Sequence, residues 1–157
     1  MMKINLIAVG KVKEKYFSDG ISEYVKRLSR FCDFSLIEIP EENYKKVDDS
    51  LILNIKKIEG ERILKALKGY VIVTDIGGEK LSSENLAKTI KNLSNTGSGT
   101  ISLVIGGSYG LSEEVKKRAD RKISFSDMTF PHTLFRLMLT EQIYRAFCIL
   151  EGSPYHK

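Results

Sequence analysis

Cysteine is scarce in this sequence of 157 residues, and the two that occur lie far apart. Cys32 and Cys148 fall in segments with helical patterns and form no CxxC motif. This placement argues against a disulfide framework and against a zinc site, so we predict a protein without bound metal. The same usage of cysteine fits a reducing cytoplasm.

Long hydrophobic runs are also missing. The N-terminal segment MMKINLIAVGK has too few consecutive apolar residues for a signal peptide or a membrane span. No later stretch of about twenty residues is free of charge, so we expect a soluble protein. No repeat, linker or shift in composition divides the chain, which predicts a single domain over residues 1–157.

The common phosphate-binding motifs are absent as well. The glycines of LVIGGSYGLSEEV, residues 103–115, fit neither GxGxxG nor GxxxxGK[ST]. Ser112 is a candidate helix N-cap, which places Glu113 and Glu114 in the first turn, where they would repel a pyrophosphate. The loop therefore favours a ligand with little negative charge, and a tight turn without a ligand is the alternative reading.

Short apolar runs alternate with amphipathic segments along the chain. Strands are predicted over residues 3–9, 34–39, 70–74, 100–105 and 122–125, with helices between them and a long final helix over 132–150. This order predicts an α/β protein, a mostly parallel sheet with helices on both faces. Ligands of such sheets bind at the carboxyl ends of the strands, which selects the loops TDIGGEK, GGSYG and SDMTFP.

The final helix is apolar around its whole circumference, although Arg136, Glu141 and Arg145 argue against a membrane span. A homodimer interface would explain this composition, and a central core helix of the monomer is the alternative. The formal charge of +5 favours a polyanionic partner such as RNA, with a solvated lysine-rich surface as the other reading. The basic clusters are Lys116, Lys117, Arg118, Arg121 and Lys122, and separately Lys11, Lys13 and Lys15.

Three segments in the last third carry a more specific resemblance. The runs LVIGGSYGLSEEVKKRAD, ISFSDMTFPHTLFRLMLTEQIYRAF and GSPYHK resemble the RlmH (YbeA-like) family of SPOUT methyltransferases, and the similarity extends over the whole chain. That family methylates N3 of a pseudouridine in large-subunit ribosomal RNA. The resemblance implies a deep C-terminal trefoil knot, a homodimer and S-adenosylmethionine as cofactor. It also implies helix 69 of bacterial 23S rRNA, on the assembled ribosome, as substrate.

The resemblance also names site residues within the three selected loops. The implied cofactor contacts are Thr74, Gly107, Ser126, Asp127, Met128, Thr129, Phe130 and Pro131. Many relatives have leucine at the position of Thr74. In this chain a hydroxyl therefore stands where those relatives offer the cofactor an apolar contact. Backbone groups of the loops would supply the remaining polar contacts.

Only two histidines are available for proton transfer, His132 and His156. His132 opens the final helix, where it can serve in proton transfer or as a cap or packing residue. In the tail, Tyr155 can stack on a base and Lys157 can contact a phosphate. We predict that Tyr155, His156 and Lys157 bind the substrate, with Tyr155, His156 and His132 as candidate catalytic residues. A non-catalytic ribosome-binding protein and a flavodoxin-like FMN module are the alternative functions.

Overall fold

Five parallel strands form the central sheet of the computed structural model, which describes residues 1–157. The strands are β1 (Lys3–Val9), β2 (Asp33–Ile39), β3 (Tyr70–Lys80), β4 (Thr100–Ile105) and β5 (Arg121–Ser124). The helices are α1 (Lys15–Leu28), α2 (Asp49–Ala66), α3 (Ser83–Asn95), α4 (Glu113–Arg118) and α5 (His132–Leu150). The sheet order is β2-β1-β4-β3-β5, and every neighbouring pair is parallel. The predicted α/β fold is confirmed.

Alternate residues of the central strands pack on opposite faces of the sheet. In β1, Ile4 and Leu6 join the core under α1, α3 and α5, whereas Ile7 and Val9 join the core under α2 and α4. Strands buried on both faces have continuous apolar sequences, which is why β1 and β4 are legible in the sequence. Helices therefore cover both faces, and the carboxyl edge of the sheet remains open for a site.

Serine side chains cap two of the helices, and the cap at Ser112 is the one predicted from the sequence. Ser112 accepts a hydrogen bond from the Val115 backbone nitrogen, and Ser82 accepts one from that of Asn85. Each cap satisfies a backbone N–H that lacks a partner inside the helix.

The third strand differs from its predicted bounds. The sequence predicts that it ends at Thr74 and that TDIGGEK is a loop, but β3 continues to Lys80. Both Thr74 and Glu79 pair with Ile123 of β5, so residues 75–78 form a bulge between two paired stretches. A Cβ on Gly78 would lie 2.7 Å from the Ile123 carbonyl carbon, so glycine permits this close second pairing.

The final helix, α5, lies over the sheet between α1 and α3. None of the helices is long and apolar enough to cross a membrane. Leu139, Ile143 and Ala146 are fully buried inside the chain. Leu134 and Leu137 are only half-buried and do not join the core cluster. Burial within the chain thus accounts for one side of the helix, and the homodimer and the knot stay predictions.

Candidate functional site

A cavity of about 490 Å³ opens at the carboxyl edge of the sheet. Its walls come from the β3 bulge, the glycine loop after β4, the loop after β5 and the first turn of α5. The three loops selected from the sequence therefore meet around one cavity, as predicted. The lining residues are Thr74, Asp75, Ile76, Ile105, Gly106, Gly107, Ser108, Gly110, Leu111, Ile123, Ser124, Phe125, Ser126, Met128, Thr129, Phe130, Pro131, His132 and Phe135.

All but one of the predicted cofactor residues line this cavity. The exception is Asp127, whose carboxylate lies 2.6 Å from the Lys80 ammonium and whose side chain is 80% exposed. The loop around it is held by short local bonds, because the Ser124 hydroxyl donates to the Ser126 carbonyl and the Met128 nitrogen donates to the Ser126 hydroxyl. Ser126 lines the cavity, whereas Asp127 lies at the surface.

The glycine loop closes on itself. Gly107 and Gly110 form an isolated bridge, with a 3.0 Å hydrogen bond from the Gly110 nitrogen to the Gly107 carbonyl. Gly110 has φ +84°, a conformation that side-chain-bearing residues rarely adopt. A Cβ on Gly107 would lie 3.1 Å from both Val9 Cγ1 and Glu59 Oε1. The backbone at Gly107 thus lies close to side chains of β1 and α2, and an added Cβ would make them shift by a few tenths of an ångström.

Thr74 uses its hydroxyl inside the sheet. Its Oγ1 donates a 2.9 Å hydrogen bond to the Val104 carbonyl, where the regular pairing of β3 with β4 ends at Val73. The bond extends the contact between the two strands at the rim of the cavity. The Thr74 hydroxyl, which a leucine at this position would lack, therefore has a hydrogen-bond partner within the protein.

The cavity holds one carboxylate and no cationic lysine or arginine. The carboxylate belongs to Asp75, and its only ion pair is with Lys116, 3.8 Å away. His132 is the other titratable side chain in the wall, and its Nδ1 is buried without a hydrogen-bond partner. Exposed Ile76 and Met128 add apolar surface at the same cavity. This wall suits a ligand that is partly apolar and carries net positive charge.

Two buried ionisable groups, Glu59 and Arg136, lie near the cavity without lining it. Glu59 of α2 is buried against Gly107 and accepts a 3.0 Å hydrogen bond from the Glu42 nitrogen. Burial raises the pKa of Glu59 above its ordinary value. On the other side of the sheet, the fully buried Arg136 donates to Glu38 at 2.9 Å and to the Val9 and Gly10 carbonyls. Neither group could be recognised from sequence spacing.

The C-terminal tail packs back against α5. The Tyr155 hydroxyl donates to Glu141, and its ring lies edge-on to Tyr144 at 4.9 Å. Arg145 lies 4.8 Å from the Tyr155 ring centre and donates to His156 Nδ1, which leaves Nε2 to donate to Glu84. Tyr155 is therefore packed against α5, and burial together with its bonds to Tyr24 and Glu141 raises its pKa.

Tail and cavity remain separate within one chain. Tyr155, His156 and Lys157 do not line the cavity, whereas His132 does. Glu141, which holds the tail, lies six residues beyond Phe135 of the cavity wall, or roughly 9 Å along the helix axis. The structure thus brings only one of the three candidate catalytic residues to the predicted cofactor site.

The two basic clusters differ in how far their charges are paired. Lys116, Arg118 and Arg121 all form ion pairs with nearby carboxylates. Lys11 and Lys13 are exposed, form no ion pair and follow β1 directly at the carboxyl edge. Lys15 of the same cluster pairs with Asp19 at 2.6 Å, whereas Lys117 and Lys122 of the first cluster are exposed and form no ion pair. Each cluster therefore keeps two unpaired lysines, and those of the second lie at the carboxyl edge of the sheet.

Comparison with known proteins fits this arrangement. Residues 2–156 match the family model described as a predicted SPOUT methyltransferase. Ribosomal RNA large subunit methyltransferase H of Levilactobacillus brevis is 53% identical over 159 residues, covering 99% of this chain and 100% of that protein. This chain belongs to the RlmH family of SPOUT methyltransferases.

Other relatives agree with this membership. A protein named ribosomal RNA large subunit methyltransferase H 1 from Clostridium perfringens is 50% identical, covering 99% of this chain and 100% of its own length. A probable methyltransferase from Bordetella pertussis shares the fold, with a TM-score of 0.59 at 12% identity over 92% of this chain and 96% of that chain. A tRNA methyltransferase from Aquifex aeolicus has a TM-score of 0.55 at 17% identity, covering 99% of this chain and 73% of that chain. At these identities the structures support the fold alone.

Several residues of the cavity and of the tail contacts carry no individual signal in the sequence. Asp75 and Ile76 line the cavity and lie within the selected loop TDIGGEK, and Phe135 lines it four residues after the selected loop SDMTFP. Glu141 and Arg145 form the attachment point of the tail. No group of three or more His, Cys, Asp or Glu side chains is arranged to hold a metal ion.

Proposed function

We propose that this chain is an S-adenosylmethionine-dependent methyltransferase that methylates N3 of a pseudouridine in helix 69 of bacterial 23S rRNA, on the assembled ribosome. The observation that carries the proposal is the single cavity at the meeting point of the three loops, with one carboxylate and no cationic lysine or arginine. A nucleotide phosphate would find no counter-charge in such a wall. A ligand with net positive charge fits it.

The lining residues suit S-adenosylmethionine in size and chemistry. A volume of about 490 Å³ lies within the range of small-molecule sites. Phe125, Phe130 and Leu111 offer apolar walls for an adenine ring, and the glycine loop offers backbone groups. The unpartnered Nδ1 of His132 is a further polar atom for a bound nucleoside. When bound, this cofactor supplies an electrophilic methyl group on a sulfonium sulfur and leaves as an uncharged thioether.

RNA is the proposed substrate on two grounds. Relatives about half identical over their whole lengths are named ribosomal RNA large subunit methyltransferase H. The net charge of +5, with unpaired Lys11 and Lys13 at the edge that bears the cavity, supports contact with phosphates. A loop nucleotide costs less to extrude than a paired one, which favours a stem-loop target. Such a substrate also implies a cytoplasmic protein.

A homodimer would bring the tail and the cavity into one site. Within one chain, the predicted substrate-binding residues Tyr155, His156 and Lys157 stop short of the cavity. Half-buried Leu134 on α5 and exposed Met128 at the cavity offer apolar surface to a second copy. In this arrangement Arg145 holds Tyr155 and His156 at fixed positions, where they can contact the target base and stabilise the N3 anion.

Ligand-induced shifts in melting temperature test the proposal against its alternatives. S-Adenosylmethionine or S-adenosylhomocysteine should stabilise the protein, because a ligand that binds only the folded state raises the melting temperature. Stabilisation by FMN instead would favour a flavodoxin-like module. No response to any of the three would favour a non-catalytic RNA-binding protein.

A further inference from the structure

Asp75 is the only carboxylate in the cavity wall, and its charge is incompletely neutralised. It follows Thr74 in the β3 bulge, and its side chain is 25% exposed. Its one ionic partner, Lys116 of α4, lies 3.8 Å from Oδ1, which is beyond hydrogen-bond distance. The same ammonium lies 3.8 Å from Glu113, so its charge is shared between two carboxylates.

The position of Asp75 matters because the proposed cofactor and its product differ in charge. S-Adenosylmethionine carries a sulfonium cation, and S-adenosylhomocysteine lacks it. The two share the adenosine, the amino group and the carboxylate. A carboxylate in a partly apolar wall attracts a cation more strongly than it would in bulk water. It also gains nothing from a neutral sulfur.

We propose that Asp75 makes the cavity prefer the cationic methyl donor over the neutral product, and so favours product release after each transfer. This inference rests on the proposed function of the cavity. Lys116 moderates the preference, because it offsets part of the carboxylate charge from outside the cavity. The two residues therefore act in opposite directions on one measurable ratio, the dissociation constant of the product divided by that of the donor.

Isothermal titration calorimetry of the full-length protein with both ligands measures this ratio. Asp75→Asn should weaken donor binding about tenfold, equivalent to about 1.4 kcal/mol, with less than about a twofold change for the product. Lys116→Met should shift the ratio the other way, by strengthening donor binding. Glu114→Gln is the matched control, because Glu114 lies on the same helix as Lys116, is exposed and does not line the cavity. Its ratio should equal that of the wild type.

Equal losses for donor and product in Asp75→Asn would overturn the inference, because they would place Asp75 at a group that both ligands share. Unchanged affinities would overturn it as well. If Asp75→Asn melts at a much lower temperature without ligand, Lys116→Met provides the test, and an unchanged ratio there contradicts the inference. A wild-type protein that binds neither ligand would instead contradict the proposed function of the cavity. Failure of the Asp75 inference and failure of the proposed function therefore give different results.

Discussion

The Tyr155 hydroxyl donates a 2.9 Å hydrogen bond to the Glu141 carboxylate, which joins the C-terminal tail to the middle of α5. Arg145 binds the same Glu141 oxygen at 2.7 Å and lies against the Tyr155 ring. The tail is thus built into the fold, although its residues do not reach the cavity of their own chain. Its contribution to stability and its contribution to catalysis can be measured separately.

Tyr155→Phe should retain ring packing on Tyr144 and remove the hydrogen bonds to Glu141 and Tyr24. We expect a loss of about 1 kcal/mol, because the bond to a charged acceptor is only part-buried. The melting temperature should fall by roughly 2–4 °C, as measured by differential scanning calorimetry. An unchanged melting temperature would show that the tail is not held by these bonds in solution.

Deletion of residues 155–157 should abolish methyl transfer to ribosomes while the cofactor still binds. The reason is that the tail lies outside the cavity wall but carries the predicted substrate-binding groups. Calorimetric affinity for S-adenosylmethionine and methyl transfer should be measured on the same preparation. Full activity in the truncated protein would exclude the tail from the substrate site, and a parallel loss of cofactor affinity would assign it to packing alone.

Glu59 predicts a pH dependence of stability. Burial raises its pKa above the ordinary value of 4.5, so the folded state binds the proton more tightly than the unfolded state does. The resulting stabilisation is present below the ordinary pKa and is lost as pH rises through the raised folded value. Glu59→Gln lacks this loss, so its melting temperature relative to the wild type should increase between about pH 4 and about pH 7. A pH-independent difference would show that Glu59 is not buried as described.

The homodimer can be tested on α5 with a charge that the monomer tolerates. Leu139 is unsuitable, because it is fully buried inside the chain and a charge there would unfold it. Leu134→Glu should dissociate the dimer in sedimentation velocity at micromolar concentration, because Leu134 is half-buried and outside the core cluster. Leu53→Glu on α2 is the control, since Leu53 is 68% exposed and lies on the opposite face of the sheet. A monomeric wild type would refute the shared site.

Most of the fold could be predicted because the local signals agree with the tertiary structure. Four of the five strands lie within one residue of their predicted bounds, and two of these, β1 and β4, are apolar runs buried on both faces. The second half of β3 could not be predicted, because Gly77 and Gly78 are typical of a turn. Its pairing depends on the approach of Ile123, a contact made only in the folded sheet.

The loops that form the site could be predicted from the sequence, but the distribution of charge around the cavity could not. The rule that ligands bind at the carboxyl ends of parallel strands selected all three loops of the cavity. The importance of Asp75 depends on the absence of cationic lysines and arginines around the cavity, which no spacing reveals. The packing of Tyr155 likewise depends on Tyr24, which lies 131 residues earlier in the sequence.

The central claim is tested most directly by methylation of ribosomes from a strain that lacks this protein. Purified protein and S-adenosylmethionine with a labelled methyl group are added, and the 23S rRNA is digested and mapped by mass spectrometry. The account predicts a single added methyl at N3 of a pseudouridine in helix 69, on assembled ribosomes. Label on a different nucleoside, or no label from a protein that binds the cofactor, would contradict it.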